Sequence, residues 1–146
     1  MNYNNFINII NSKFIYRSDK LGYGYEDYWN NIEDFKNSDI IWYGDCEDYV
    51  LYLYNHISDC EIWYCTLEGN GHVILKLPDG LWIDNNVKKP IKEFNKTYKI
   101  IRQFSKEEIE NRISIAKSLP KLDIRQSFDL IGFINLIPYK IKRILS

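Results

Sequence analysis

Cys46, His72 and Asp84 are the residue types of a nucleophilic acyl-transfer site, and they occur in that order along the chain. A thiol can attack a carbonyl, an imidazole can move the proton, and a carboxylate can orient the imidazole. Cys46 lies in the run Gly44-Asp45-Cys46-Glu47-Asp48. Asp45 has N-cap chemistry, and Asp48 stands three residues on, where a capping-box acid sits. Tyr49, Val50, Leu53, Tyr54 and Ile57 then follow at the spacing of one buried helical face. The thiol is therefore expected in the first turn of a helix. Unpaired backbone N–H groups and the helix dipole favour thiolate there. Asp45, Glu47 and Asp48 oppose it, since like charges disfavour an anion. An imidazolium, or a cation held by those acids, must offset them. The bland alternative for Cys46 is a buried structural thiol.

His72 and Asp84 are joined by a hairpin argument. Leu77-Pro78-Asp79-Gly80-Leu81 reads as a three-residue loop, with Gly80 at the left-handed position. That loop pairs Leu77 with Leu81, Lys76 with Trp82, Leu75 with Ile83 and Ile74 with Asp84. Strand side chains alternate, so His72 shares a face with Ile74 and has Asp84 as its diagonal neighbour. Diagonal neighbours lie about 7–8 Å apart by backbone, within reach of long side chains. A two-residue loop would shift the register and put the two residues on opposite faces. His72 itself is expected at a strand start, after the loop Glu68-Gly69-Asn70-Gly71.

The remaining candidates read more plainly. His56 falls near the far end of the helix that Cys46 begins, well around it and some turns away, so a catalytic role is not expected. Cys60 and Cys65 match no zinc spacing and read as core or near-core thiols. Asp45, Glu47 and Asp48 carry two readings, capping and solvation of a helix start or a site for a hard cation such as calcium.

The elements that must position these residues can be traced along the chain. Tyr3, Phe6, Ile7 and Ile10 have helical spacing, Ser18–Tyr28 reads as loop, and Trp29–Lys36 as a short helix. Strands are expected at Glu61–Leu67, Val73–Leu77, Leu81–Asn85 and Tyr98–Phe104. Ser105-Lys106-Glu107-Glu108 is a capping box that opens a helix to about Ser118, with Pro120 beyond it. The expected class is α+β, with one domain over residues 1–120. Residues 121–146 form an apolar tail with Lys140, Lys142 and Arg143 near its end, expected as an amphipathic helix packed on the domain. The tail is too broken by Asp129, Asn135 and Pro138 for a membrane span, and surface association with a membrane is the lesser reading.

Composition bounds the function. With 146 residues, 45% apolar and 16% aromatic, the chain can bury one core. A net charge of −1 with no basic face argues against a general grip on nucleic acid. Three cysteines, an odd and low count, argue against a disulfide framework. No signal-peptide pattern is expected at the N-terminus, which points to a cytoplasmic protein. Enrichment in Asn, Ile, Lys and Tyr beside a single alanine, Ala116, suits an AT-rich genome such as that of many phages or low-GC bacteria.

Gly44-Asp45-Cys46-Glu47-Asp48-Tyr49, then Gly71-His72-Val73-Ile74-Leu75, then Ile83-Asp84-Asn85 resembles the bacterial transglutaminase-like cysteine proteinases. Asn11, Tyr16, Asp19, Tyr23-Gly24 and Asp27-Tyr28-Trp29 fit that family's lead-in more loosely, and the likeness covers about residues 5–104. The resemblance implies a papain-like core, with a cysteine-bearing helix packed on an antiparallel sheet that carries the histidine and aspartate. It implies Cys46 as nucleophile, His72 as general base and acid, and Asp84 as orienter. The family's best-known members are calcium-dependent periplasmic adhesin proteases, which brings in calcium on Asp45, Glu47 and Asp48. No other cofactor is expected. The implied partner is a protein or peptide substrate. Alternatives are a transglutaminase or acyl-transferase, and a catalytically inactive module that binds a host protein.

Overall fold

Apolar residues at helical spacing form the first element, α1 (Asn4–Lys13), which buries Ile7 and Ile10. It runs directly into β1 (Phe14–Tyr16), and Phe14 turns its ring edge-on to Tyr49 at 5.2 Å. β1 pairs in parallel with β2 (Trp42–Gly44), which delivers the chain to α2 (Cys46–His56). In this computed structural model the described residues are 2–18, 29 and 42–119. The expected loop Ser18–Tyr28, all but Trp29 of the short helix Trp29–Lys36, and the 121–146 tail lie essentially outside them.

α2 differs from its expected pattern. Tyr49, Val50, Leu51, Tyr52 and Leu53 are all buried in succession, and Tyr54 is only partly so. One amphipathic face was expected, but the helix is covered on several sides, with α1 and β4 both packed against it. A helix buried all round loses the 3.6-residue alternation by which a surface helix is read.

The sheet comprises β3 (Glu61–Leu67), β4 (Asn70–Lys76), β5 (Trp82–Ile83) and β6 (Tyr98–Gln103), antiparallel throughout in the order β5-β4-β3-β6. β4 starts at Asn70, earlier than the expected Val73. The cause is a tight turn in which Glu68 and Gly69 both have positive φ, 52° and 82°. Such a pair closes a two-residue hairpin loop. Glutamate is not a residue that announces that conformation, so the sequence pattern suggested a longer loop. His72 thus sits inside a strand, directly opposite Cys65.

The second hairpin has the expected register. Leu77 N–H donates to the Leu81 carbonyl at 2.7 Å, and Gly80 N–H to the Leu77 carbonyl at 2.9 Å. Gly80 has φ +87°. Leu75 pairs with Ile83 and Lys76 with Trp82. After β6, Ser105 and Glu108 form the reciprocal capping box that begins α3 (Lys106–Ser118). The fold is α+β. Among the described residues no helix is long and apolar enough to cross a membrane.

Candidate active site

The start of α2 is pinned by its own acids. Asp45 and Asp48 form a capping box, each side chain meeting the other residue's backbone, with Asp45 N–H donating to Asp48 Oδ2 at 3.1 Å. This fold-back leaves room for nothing but glycine at position 44. A Cβ there would stand 2.7 Å from Asp48 Oδ2 and 2.8 Å from its Cβ. Gly44→Ala must therefore push Asp48 out of its cap. We expect a loss of about 1–3 kcal/mol in a urea melt, together with altered Cys46 reactivity.

Cys46 is the first residue of α2, as expected, and is partly buried. Its thiol donates to Glu47 Oε2 at 3.1 Å, and the helix it begins packs against β4, the strand that carries His72. Burial, then the carboxylates of Glu47 and Asp45, push the thiol well above its ordinary value, while the Val73 N–H works the other way. At neutral pH the resting group is a thiol. Burial and the two acids together outweigh the one opposing contribution.

His72 and Asp84 meet. His72 Nε2 lies 2.8 Å from Asp84 Oδ2, and both residues are buried. Asp84 has four donors around it. Its Oδ1 accepts the backbone N–H of Asn86 at 3.0 Å and of Val87 at 2.7 Å, and its Oδ2 also accepts Tyr98 Oη–H at 2.6 Å. Burial works to raise the Asp84 carboxyl. The bonds from His72, Tyr98 and Val87 outweigh it and hold the group below its ordinary value. Asp84 is then ionised and can only accept. The hydrogen between the two side chains belongs to His72 Nε2, so in the neutral form of the ring the lone pair is on Nδ1.

The turn that carries Asp84 is clamped from behind. Lys88 N–H donates to the Asp84 carbonyl at 2.9 Å. Asn11 Nδ2 reaches the Lys88 carbonyl at 2.7 Å, and Asn11 Oδ1 accepts Tyr49 Oη–H at 2.7 Å. One asparagine of α1 therefore ties the turn after Asp84 to the helix that carries Cys46. A shallow cleft of about 270 Å³ opens beside His72, with Tyr16, Glu68, Asn70, Asn85 and Asn86 in its walls.

The other candidates sit where their bland readings put them. His56 Nδ1 faces the Tyr52 carbonyl at 2.8 Å, and its ring packs on Phe6 and Tyr52. Cys60 and Cys65 are free thiols, pushed up by burial to about 12 in both cases. Of the proposed calcium ligands, Asp45 and Glu47 have carboxylate oxygens within 4.8 Å of each other and of the Cys46 sulfur. Asp48 spends one oxygen on the cap. Trp29 is buried and edge-on to Phe104 at 5.3 Å.

Sequence reasoning missed Tyr98 as a partner of Asp84. Tyr98 carries no local signal, because its strand reaches the site only through pairing with β3. No protein-family model matches the chain, and a search of curated proteins finds no match.

Proposed function

We propose that the protein is a cysteine hydrolase that breaks a peptide or amide bond through a Cys46–His72–Asp84 triad on a papain-like, transglutaminase-like core. The observation that carries this reading is the buried His72–Asp84 hydrogen bond, with His72 on a strand packed against the helix that Cys46 begins. The order of elements supports it, a cysteine-first helix packed on an antiparallel sheet that bears the histidine, with the aspartate just past β5.

The chemistry follows from the protonation states. Cys46 rests as a thiol, so its proton must leave as the sulfur attacks the carbonyl carbon. His72 Nδ1 is the base, and Asp84 steadies the imidazolium that forms. The Cys46 backbone N–H, at the first helical position, has no intrahelical acceptor and is a donor for the oxyanion. His72 then gives its proton to the departing amine, and a thioester to Cys46 remains. Water, deprotonated by His72, releases the acid and restores the thiol. The leaving amine and the water both belong on the His72 side, where the Asn70–Asn86 cleft lies. Asp45 and Glu47 offer hard oxygen donors that suit part of a calcium shell. A cation there would offset the charges that oppose thiolate.

The acid-flanked, protonated thiol also favours a second reading, a fold of this kind that binds a protein without catalysis. Incubation with an unfolded protein substrate separates the two. The hydrolase reading expects new N-termini by mass spectrometry that vanish in Cys46→Ala. Amine-modified products in the presence of a lysine-like amine would instead mark an acyl-transferase. An effect on a partner that survives Cys46→Ala would mark the binder.

A further inference from the structure

We propose that Tyr98 is a positioning residue of the triad, its hydroxyl fixing the Asp84 carboxylate and its ring closing the His72–Asp84 hydrogen bond to solvent. The proposal takes its catalytic consequence from the hydrolase reading, but its geometry stands apart from it.

Tyr98 Oη and His72 Nε2 share one acceptor, Asp84 Oδ2, at 2.6 and 2.8 Å. The two backbone donors of Asn86 and Val87 occupy Oδ1. A carboxylate has about four lone-pair sites, and these four donors use them. The carboxylate cannot rotate without breaking a bond at either end. Oδ2 is thereby aimed at His72, and its charge is divided between two donors. The imidazolium of the transition state then meets an anion too weak a base to take its proton.

The ring does separate work. It meets His72 edge-on at 5.8 Å, and Phe94 stacks on it at 4.2 Å and 16°. Phe94 in turn leans on Trp82 of β5, whose backbone is tied to Ile91 by bonds of 2.7 and 2.9 Å. The loop after Asp84 thus returns to brace the ring from behind. Among the described residues, the other titratable groups that feel Asp84 are Tyr49 from α2 and Cys65 from β3, and Tyr49 donates instead to Asn11. Burial, then the bond to Asp84, raises the Tyr98 hydroxyl, with the Asn86 side chain acting the other way, so it stays a donor at neutral pH.

The test is Tyr98→Phe, which keeps the ring and removes the donor. The readout is the His72 Nε2–H proton in the NMR spectrum of the whole protein. With Oδ2 offered to His72 alone, that signal moves downfield. Acylation of Cys46 slows by about tenfold, the scale of one hydrogen bond to a charged group. A thermal melt reports packing separately. A His72 signal unchanged from wild type overturns the proposal, whatever the melt shows. Should Tyr98→Phe fail to fold, the wild-type protein answers instead. A Tyr98 hydroxyl proton protected from exchange supports the proposal, and one in free exchange overturns it. A shifted His72 signal in a protein that forms no acyl-enzyme still supports it, and counts against the hydrolase reading alone.

Discussion

Asp84→Asn is expected to slow acyl-enzyme formation by about 10⁴-fold, the scale seen when a triad loses its orienting carboxylate but keeps its geometry. The reason lies in the donors around this side chain. The backbone N–H groups of Asn86 and Val87 both point at Oδ1, so an asparagine must place its one carbonyl oxygen there. Its NH₂ group then faces His72 Nε2 and Tyr98 Oη. To accept from that NH₂, His72 must move its proton to Nδ1. The base has then lost its lone pair on the nitrogen that should act. Single-turnover acylation of wild type and variant, with folding checked by circular dichroism, measures the effect. A loss of only a few-fold would mean that His72 does not depend on Asp84 for its tautomer.

The second large effect falls on stability. Asp84→Ala leaves the imidazole N–H, the Tyr98 hydroxyl and two backbone N–H groups facing a buried gap. Removing one partner from a buried charged network costs about 3–5 kcal/mol. The same carboxylate sets an acid limb. Its folded value lies below the ordinary one. Such a group contributes stability that is fully present above its unfolded value, about 3.9. That contribution is lost as pH falls through the lower folded value. Unfolding free energy from urea melts should therefore fall with pH across that acid window in wild type. The slope should be shallower in Asp84→Asn. Equal slopes would show that Asp84 is not held ionised by its neighbours.

Much of the site was legible because it depends on local chemistry. Asp45 and Asp48 spell a capping box, and a capping box fixes where a helix starts, which placed Cys46. Pro78-Asp79-Gly80 spells a loop length, and loop length fixes register, which brought His72 and Asp84 together. What failed to show depends on contacts distant in sequence. The all-round burial of α2 reflects what α1 and β4 bring to it. The early start of β4 needed Glu68 in a left-handed conformation that glutamate seldom takes. Tyr98 reaches Asp84 only because β6 pairs with β3 across a bulge at Tyr64/Cys65. The state of the thiol turned first on how deeply the fold buries it, which depends on contacts distant in sequence, and then on its distances to Glu47 and Asp45.

The central claim is that His72 activates Cys46. Iodoacetamide labelling read by intact mass tests it most directly, for wild type, Cys46→Ala and His72→Ala, across pH and with and without calcium. All three thiols are pushed up, so near neutral pH only one helped by a base should label. The account predicts a single labelled site, lost in Cys46→Ala and slowed about 100-fold in His72→Ala, the scale of a general base. Equal rates in wild type and His72→Ala, or three cysteines labelling alike, would contradict it.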